Sequence, residues 1–131
     1  MTKHVAMGLI VNDRGQILMA VRRPSQTRPN MYEISGGRVE DGESPEQAVV
    51  RELREELGIE TEVIKHIASC ELDLEVTLAL HCYAVRIVSG EPRPIESVKL
   101  LWTSIDYAIV NLPCVPSTYL LYRAIKTHIG A

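Results

Sequence analysis

The chain has no phenylalanine, and one tryptophan and five tyrosines are few for 131 residues, so aliphatic side chains must fill most of any core. Cysteine is scarce too. Cys70, Cys82 and Cys114 are odd in number and scattered, which signals neither a disulfide framework nor a zinc motif and favours reduced, mostly buried thiols. No apolar run approaches the length of a membrane span. The start carries no signal-peptide pattern, because Asp13 and Arg14 soon interrupt it, and a cytoplasmic location is expected. Positive charge is not in excess: a net charge of −3 argues against broad nucleic-acid binding while leaving room for a local basic pocket. Internal repeats, low-complexity segments and linkers are also missing. With 46% hydrophobic residues, the chain fits a single domain over 1–131.

What is present centres on residues 37–59. Ser44 predicts a helix N-cap, Pro45 suits the first helical position, and Gln47 completes a Ser-x-x-Gln capping box. Gly58 suits the left-handed position just past the end. At about 100° per residue, Val49, Val50, Leu53 and Leu57 are expected on one face. Glu52, Glu55 and Glu56 are expected on the opposite side, with Ala48 among them. Carboxylates at that spacing repel by roughly 0.2–0.5 kcal/mol per pair, and Arg51, four residues before Glu55, relieves part of it. A solvated acidic face is the plain explanation. A bound divalent cation is the other, since hard oxygen ligands on a rigid helix suit magnesium or manganese completed by substrate phosphates.

Gly37, Glu43, Arg51, Glu52, Leu53, Glu55, Glu56, Gly58 and Ile59 stand at the spacing of the Nudix box. The chain resembles Nudix hydrolases, in particular the MutT-like branch, notably along Pro45-Glu-Gln-Ala-Val-Val-Arg-Glu-Leu53. The resemblance implies an α/β chain with the Nudix fold, an α/β/α sandwich around a mixed β-sheet. It implies Mg2+ (or Mn2+) held by the Gly36 carbonyl, Glu52, Glu55 and Glu56, with Glu96, six residues ahead of Trp102, as a further ligand. Glu52 is the implied general base, Arg51 orients the carboxylates, and Glu43 supports the loop. Arg22 and the glycine pair Gly36-Gly37 are the implied substrate-binding positions. The expected substrate is a nucleotide, foremost a nucleoside triphosphate, canonical or oxidised, cleaved to monophosphate and pyrophosphate. A Nudix hydrolase of RNA 5′ ends and a catalytically silent nucleotide-binding module are the alternatives. ADP-ribose and diadenosine-polyphosphate hydrolases carry a proline or a tyrosine beyond the box, and Leu74-Glu-Val-Thr77 has neither. The chain departs from the family twice. Ser35 replaces the usual proline before the glycine pair, and Pro116 stands where MutT-like members have an asparagine that reads the purine edge.

Along the chain, Lys3–Val11 and Gln16–Arg22 read as a hairpin around Asn12-Asp-Arg-Gly15. Arg23 and Arg28 read as ordinary surface charges. Met31–Ser35 reads as a short strand and Gly36-Gly37 as a tight turn before the helix or a place where backbone nears a ligand. Glu60–Ile67, Glu75–Val88 and Val98–Thr103 read as strands, and Glu71, Asp73 and Glu75 as a solvated acidic patch. His81 and Tyr83 read as structural. The closing helix is expected over Ser117–His128, covering the sheet through Leu120, Leu121, Ala124 and Ile125.

Overall fold

Strands that are apolar on both faces need cover on both faces. That is the condition of β2 (Ile17–Val21), buried along its whole length, and of the second half of β1 (Thr2–Leu9). The computed structural model describes residues 1–130, and Ala131, the last residue of the expected domain, lies outside them. The chain continues through β3 (Tyr32–Glu33), β4 (Gly36–Arg38), α1 (Pro45–Leu57), β5 (Glu60–Asp73) and β6 (Thr77–Ser89). It closes with β7 (Leu100–Thr103), α2 (Ile105–Asn111) and α3 (Pro116–Ile129).

The strands form two sheets. One has the order β4-β1-β6-β5, with β1 and β6 parallel and the other pairs antiparallel; the other is antiparallel, in the order β3-β2-β7. Alternate side chains point to opposite faces. Ala6, Leu18, Tyr83 and Val85 meet Ala48, Val49, Leu53 and Leu57 of α1 on one side. Met7, Leu9, Ile17, Met19 and Leu80 meet Ile105 and Ala108 of α2 and Leu121 and Ile125 of α3 on the other. The result is the expected α/β/α sandwich. Fully burying one side chain such as Leu53 stabilises the fold by roughly 1.5–3 kcal/mol.

Several expectations need correction, among them Leu120 of α3, which is 51% exposed and takes no part in the core that Leu121 and Ile125 join. The hairpin between β1 and β2 exists only at its tip. Asn12 Oδ1 accepts from the backbone N–H of Arg14 and Gln16 (both 3.0 Å), and Gly15 turns the chain at φ 73°. Beyond the Val11–Ile17 bridge the strands part into different sheets, because β4 and β6 already occupy both edges of β1. Gly36-Gly37 is not a turn but part of β4, paired with Met7 and Ala6. β5 runs on to Asp73 and takes in Glu71 and Asp73, whose side chains are solvated as expected. Helix α2, capped by Ser104 accepting from the Tyr107 N–H, was not expected at all.

Candidate active site

Helix α1 begins as its sequence dictates. The Ser44 hydroxyl accepts from the Gln47 N–H (3.1 Å), the Gln47 side chain accepts from the Ser44 N–H (2.9 Å), and Gly58 ends the helix at φ 70°. The faces differ from expectation. Ala48, Val49, Leu53 and Leu57 are the buried residues, while Val50 is only half-buried. At about 100° per residue, Glu52 and Glu56 lie roughly 40° and 80° round from Ala48, in the arc between Ala48 and Val49. They therefore sit on the flank turned towards the sheets. Small Ala48 belongs to the packing stripe and lets the helix approach closely. Glu55 lies outside that arc and is exposed.

Arg51 gathers the acidic side chains. Its Nε and Nη2 donate to both oxygens of Glu43 (2.7 and 2.9 Å), its Nη1 to Glu52 Oε1 (2.9 Å) and Glu55 Oε1 (3.0 Å), and Nη2 also to the Arg38 carbonyl (2.9 Å). The fork thus ties α1 to the loop after β4. The bond from Arg51 and one from the Glu40 N–H hold the Glu43 carboxyl far below the usual range, at about 2. Neither Arg51 nor Glu43 lines a cavity with Glu52; they stand behind it and set its direction. Gly37 makes the remaining space. A Cβ there would stand 2.5 Å from both carboxylate oxygens of Glu52, so glycine lets that carboxylate lie against the strand.

Glu33, Glu52, Glu56 and Glu96 line one polar cavity of about 190 Å3, with Arg22, Ser35, Gly36 and Ser97. The fold thus brings together Arg22, Gly36, Glu52, Glu56 and Glu96 of the expected site. It leaves Glu55 outside, on Arg51, and adds Glu33, which sequence reasoning missed because no local pattern ties a residue of a two-residue strand to Glu52, 19 residues on in a helix. Burial, hydrogen bonding to Glu52 and the charges of Glu52, Glu33 and Glu96 push the Glu56 carboxyl far above its ordinary range. Burial also raises the Glu33 carboxyl, against the pull of Arg22, whose Nη1 donates to Glu33 Oε1 at 2.8 Å. The remaining Arg22 donors reach the Thr27 carbonyl (2.6 Å) and hydroxyl (3.0 Å).

An all-oxygen donor set with surplus negative charge fits a hard divalent cation. Among the described residues, the acidic side chains face the cavity without closing into a ready metal cluster.

Arg22, Glu33 and Gly36 also border a second cavity of about 290 Å3, apolar for most of its wall through Val5, Met7, Leu72, Leu78 and Leu80. Gly37, Thr27, Arg38 and the start of α3, Pro116 and Ser117, also line it, as does Arg28, which is therefore more than the ordinary surface charge expected. An acidic chamber thus adjoins an apolar slot, with Arg22, Glu33 and Gly36 bordering both. His81 and Tyr83 border neither cavity: His81 stacks on His4, and Tyr83 is buried in the core beneath α1. Trp102, 37% exposed, is likewise elsewhere. Arg23 donates to the Ile95 carbonyl (2.7 Å). No helix among the described residues is long and apolar enough to cross a membrane.

The chain matches the NUDIX domain model over residues 1–117. It is 36% identical over 116 residues to a CTP pyrophosphohydrolase of Escherichia coli K12, covering 88% of this chain and 85% of the relative. It is 34% identical over 118 residues to the 8-oxo-dGTP diphosphatase of the same organism, covering 85% and 92%. The solution structure of the E. coli ORF135 protein superposes with a TM-score of 0.87 at 34% identity, over 98% of this chain and 91% of the other. With the box carboxylates Glu52, Glu55 and Glu56 on α1 and the sandwich around them, this chain belongs to the Nudix hydrolase family.

Proposed function

We propose that the protein hydrolyses a nucleoside triphosphate to the monophosphate and pyrophosphate with the help of Mg2+ or Mn2+. The observation that carries this reading is the union of two unlike cavities: four carboxylates round one chamber, an apolar slot beside it, and Arg22 between them. A nucleotide has the same division, with a charged phosphate chain at one end and a flat base at the other. The similarity to relatives named for CTP and for 8-oxo-dGTP supports a triphosphate substrate.

The cation's holders are Glu52, Glu56, Glu96 and the Gly36 carbonyl, with Glu33 at the margin; Glu55 joins only by turning from Arg51. When bound, such a cation supplies positive charge against phosphate oxygens and acidifies water. Glu52 takes the proton of the attacking water, because Arg51 fixes its Oε1 and Gly37 lets the carboxylate lie close to the strand. Arg51 and Glu43 are positioning residues. Arg22 steadies the substrate where chamber meets slot, and Glu33 and Thr27 hold its fork in place. Pro116 offers the base no side-chain hydrogen bond, so polar recognition in the slot falls to the other polar groups of its wall, Thr27, Arg28, Arg38 and Ser117.

Pyrophosphate release over a panel of canonical and oxidised triphosphates, with and without Mg2+, tests the proposal. Cation-dependent release from at least one triphosphate is expected. A flat response across the panel in Mg2+ and Mn2+ would overturn it.

A further inference from the structure

The loop between β2 and β3 passes twice through left-handed backbone at residues that are not glycine, Arg28 at φ 51° and Asn30 at φ 63°. Asparagine visits that region readily and arginine does not. Arg28 also precedes Pro29, and a residue before proline is pushed towards extended backbone with negative φ. The strain persists because the loop is tied on both sides of it. Arg22 donates to the Thr27 carbonyl (2.6 Å) and hydroxyl (3.0 Å), and its own carbonyl accepts from the Asn30 N–H (2.9 Å). Backbone strain of this kind gathers at ligand clamps and active sites.

The side chain placed by that strain lines the apolar slot. Arg22 and Arg23 engage Thr27, Glu33 and the Ile95 carbonyl, whereas no group among the described residues accepts a hydrogen bond from the Arg28 side chain. No aromatic side chain among the described residues lines the slot, and its one carboxylate, Glu33, already accepts from Arg22. We propose that Arg28 selects the base, its guanidinium fork donating to two neighbouring acceptors on the base edge, such as guanine O6 and N7 or cytosine N3 and O2. Arginine cannot accept a hydrogen bond, and adenine sets an amino donor beside N7 and N1, so adenine is the base this fork rejects. The assignment rests on the triphosphate reading and adds to it a residue outside both the box and the acidic chamber.

The test measures kcat and KM for dGTP, dCTP and dATP in Mg2+ with the wild type, Arg28→Gly and Arg28→Lys, and thermal melting alongside. The wild type is expected to favour dGTP or dCTP over dATP by about tenfold to a hundredfold in kcat/KM, and Arg28→Gly to lose most of that preference. The loss should fall on KM, as it does for binding shared by the ground and transition states. Because glycine accepts positive φ, Arg28→Gly should melt no lower than the wild type. Arg28→Lys keeps the charge without the fork and should not restore the preference. An equal loss for all three substrates in Arg28→Gly, or full rescue by lysine, would overturn the assignment by putting the charge on phosphate. A melting temperature several degrees lower in Arg28→Gly would overturn it too, by making the side chain a structural tie. Hydrolysis of all three triphosphates without discrimination by the wild type sinks the role of Arg28 alone, whereas hydrolysis of none sinks the triphosphate reading and that role with it.

Discussion

Replacing Gly37 by alanine tests the geometry of the site with one methyl group. Gly37 has no positive φ, so the strand itself accepts alanine, and space is the only issue. The new Cβ would stand 2.5 Å from the Glu52 oxygens where ordinary contact begins at 3.4 Å, so the carboxylate must retreat by about 1 Å. The end of a flexible side chain can do so at the expense of its bond from Arg51, roughly 1 kcal/mol. Loss of glycine's freedom in the unfolded chain returns about 0.4–1 kcal/mol. Stability should therefore barely change, with a melting temperature within about 4 °C of wild type. Catalysis should suffer far more, because a misplacement of about 1 Å costs on the order of a hundredfold. Steady-state pyrophosphate release with Mg2+ should show that loss in kcat, with KM nearly kept. Gly36→Ala is the contrast. Its Cβ would stand 2.7 Å from Met7 Cα and closer still to the Ala6 carbonyl, so backbone must move and about 1–3 kcal/mol of stability should go. A Gly37→Ala enzyme that keeps more than a third of wild-type kcat would refute the reasoning, as would one that loses activity only in step with its fold.

Glu52→Gln should lower kcat by about a hundredfold to ten-thousandfold and leave the melting temperature close to wild type, since the amide keeps the shape and its oxygen can still accept from Arg51 Nη1; near-normal turnover would take Glu52 out of the mechanism. Arg51→Ala should cost about 1–3 kcal/mol by urea denaturation, and Arg51→Lys should restore only part of it, because lysine cannot grip both Glu43 oxygens; full rescue by lysine would mean that charge alone matters. The raised Glu56 carboxyl stabilises the cation-free fold fully below the ordinary value of 4.5, and this contribution is lost as pH rises towards the raised one. The rise in melting temperature given by Mg2+ should accordingly grow from pH 6 to pH 9 in the wild type and flatten in Glu56→Gln; a pH-independent rise would contradict the proton–cation exchange. Glu43 has the opposite sign: its depressed carboxyl stabilises above 4.5, and that contribution should fade only as pH falls towards about 2, followed by the Glu43 carboxyl resonance.

Helix α1 was legible from its own residues, because a capping box, a closing glycine and an apolar stripe act within a few turns and need no partner. The box spacing carried the family for the same reason. Short-range chemistry could not say which way the carboxylates face. Glu52 and Glu56 share an arc with Ala48 that looks polar on paper and becomes the inner flank only once the strands lie against it. Nor could spacing pair Glu33 with Glu56, set Ser97 beside them, or show that β2 leaves β1 for a second sheet. What the sequence determined by itself is the local register of one helix and the kind of chemistry its side chains permit. Only the tertiary structure decided which acids share a chamber and that an apolar slot opens beside it, since both depend on strands far apart in the chain meeting at Gly36 and Arg22.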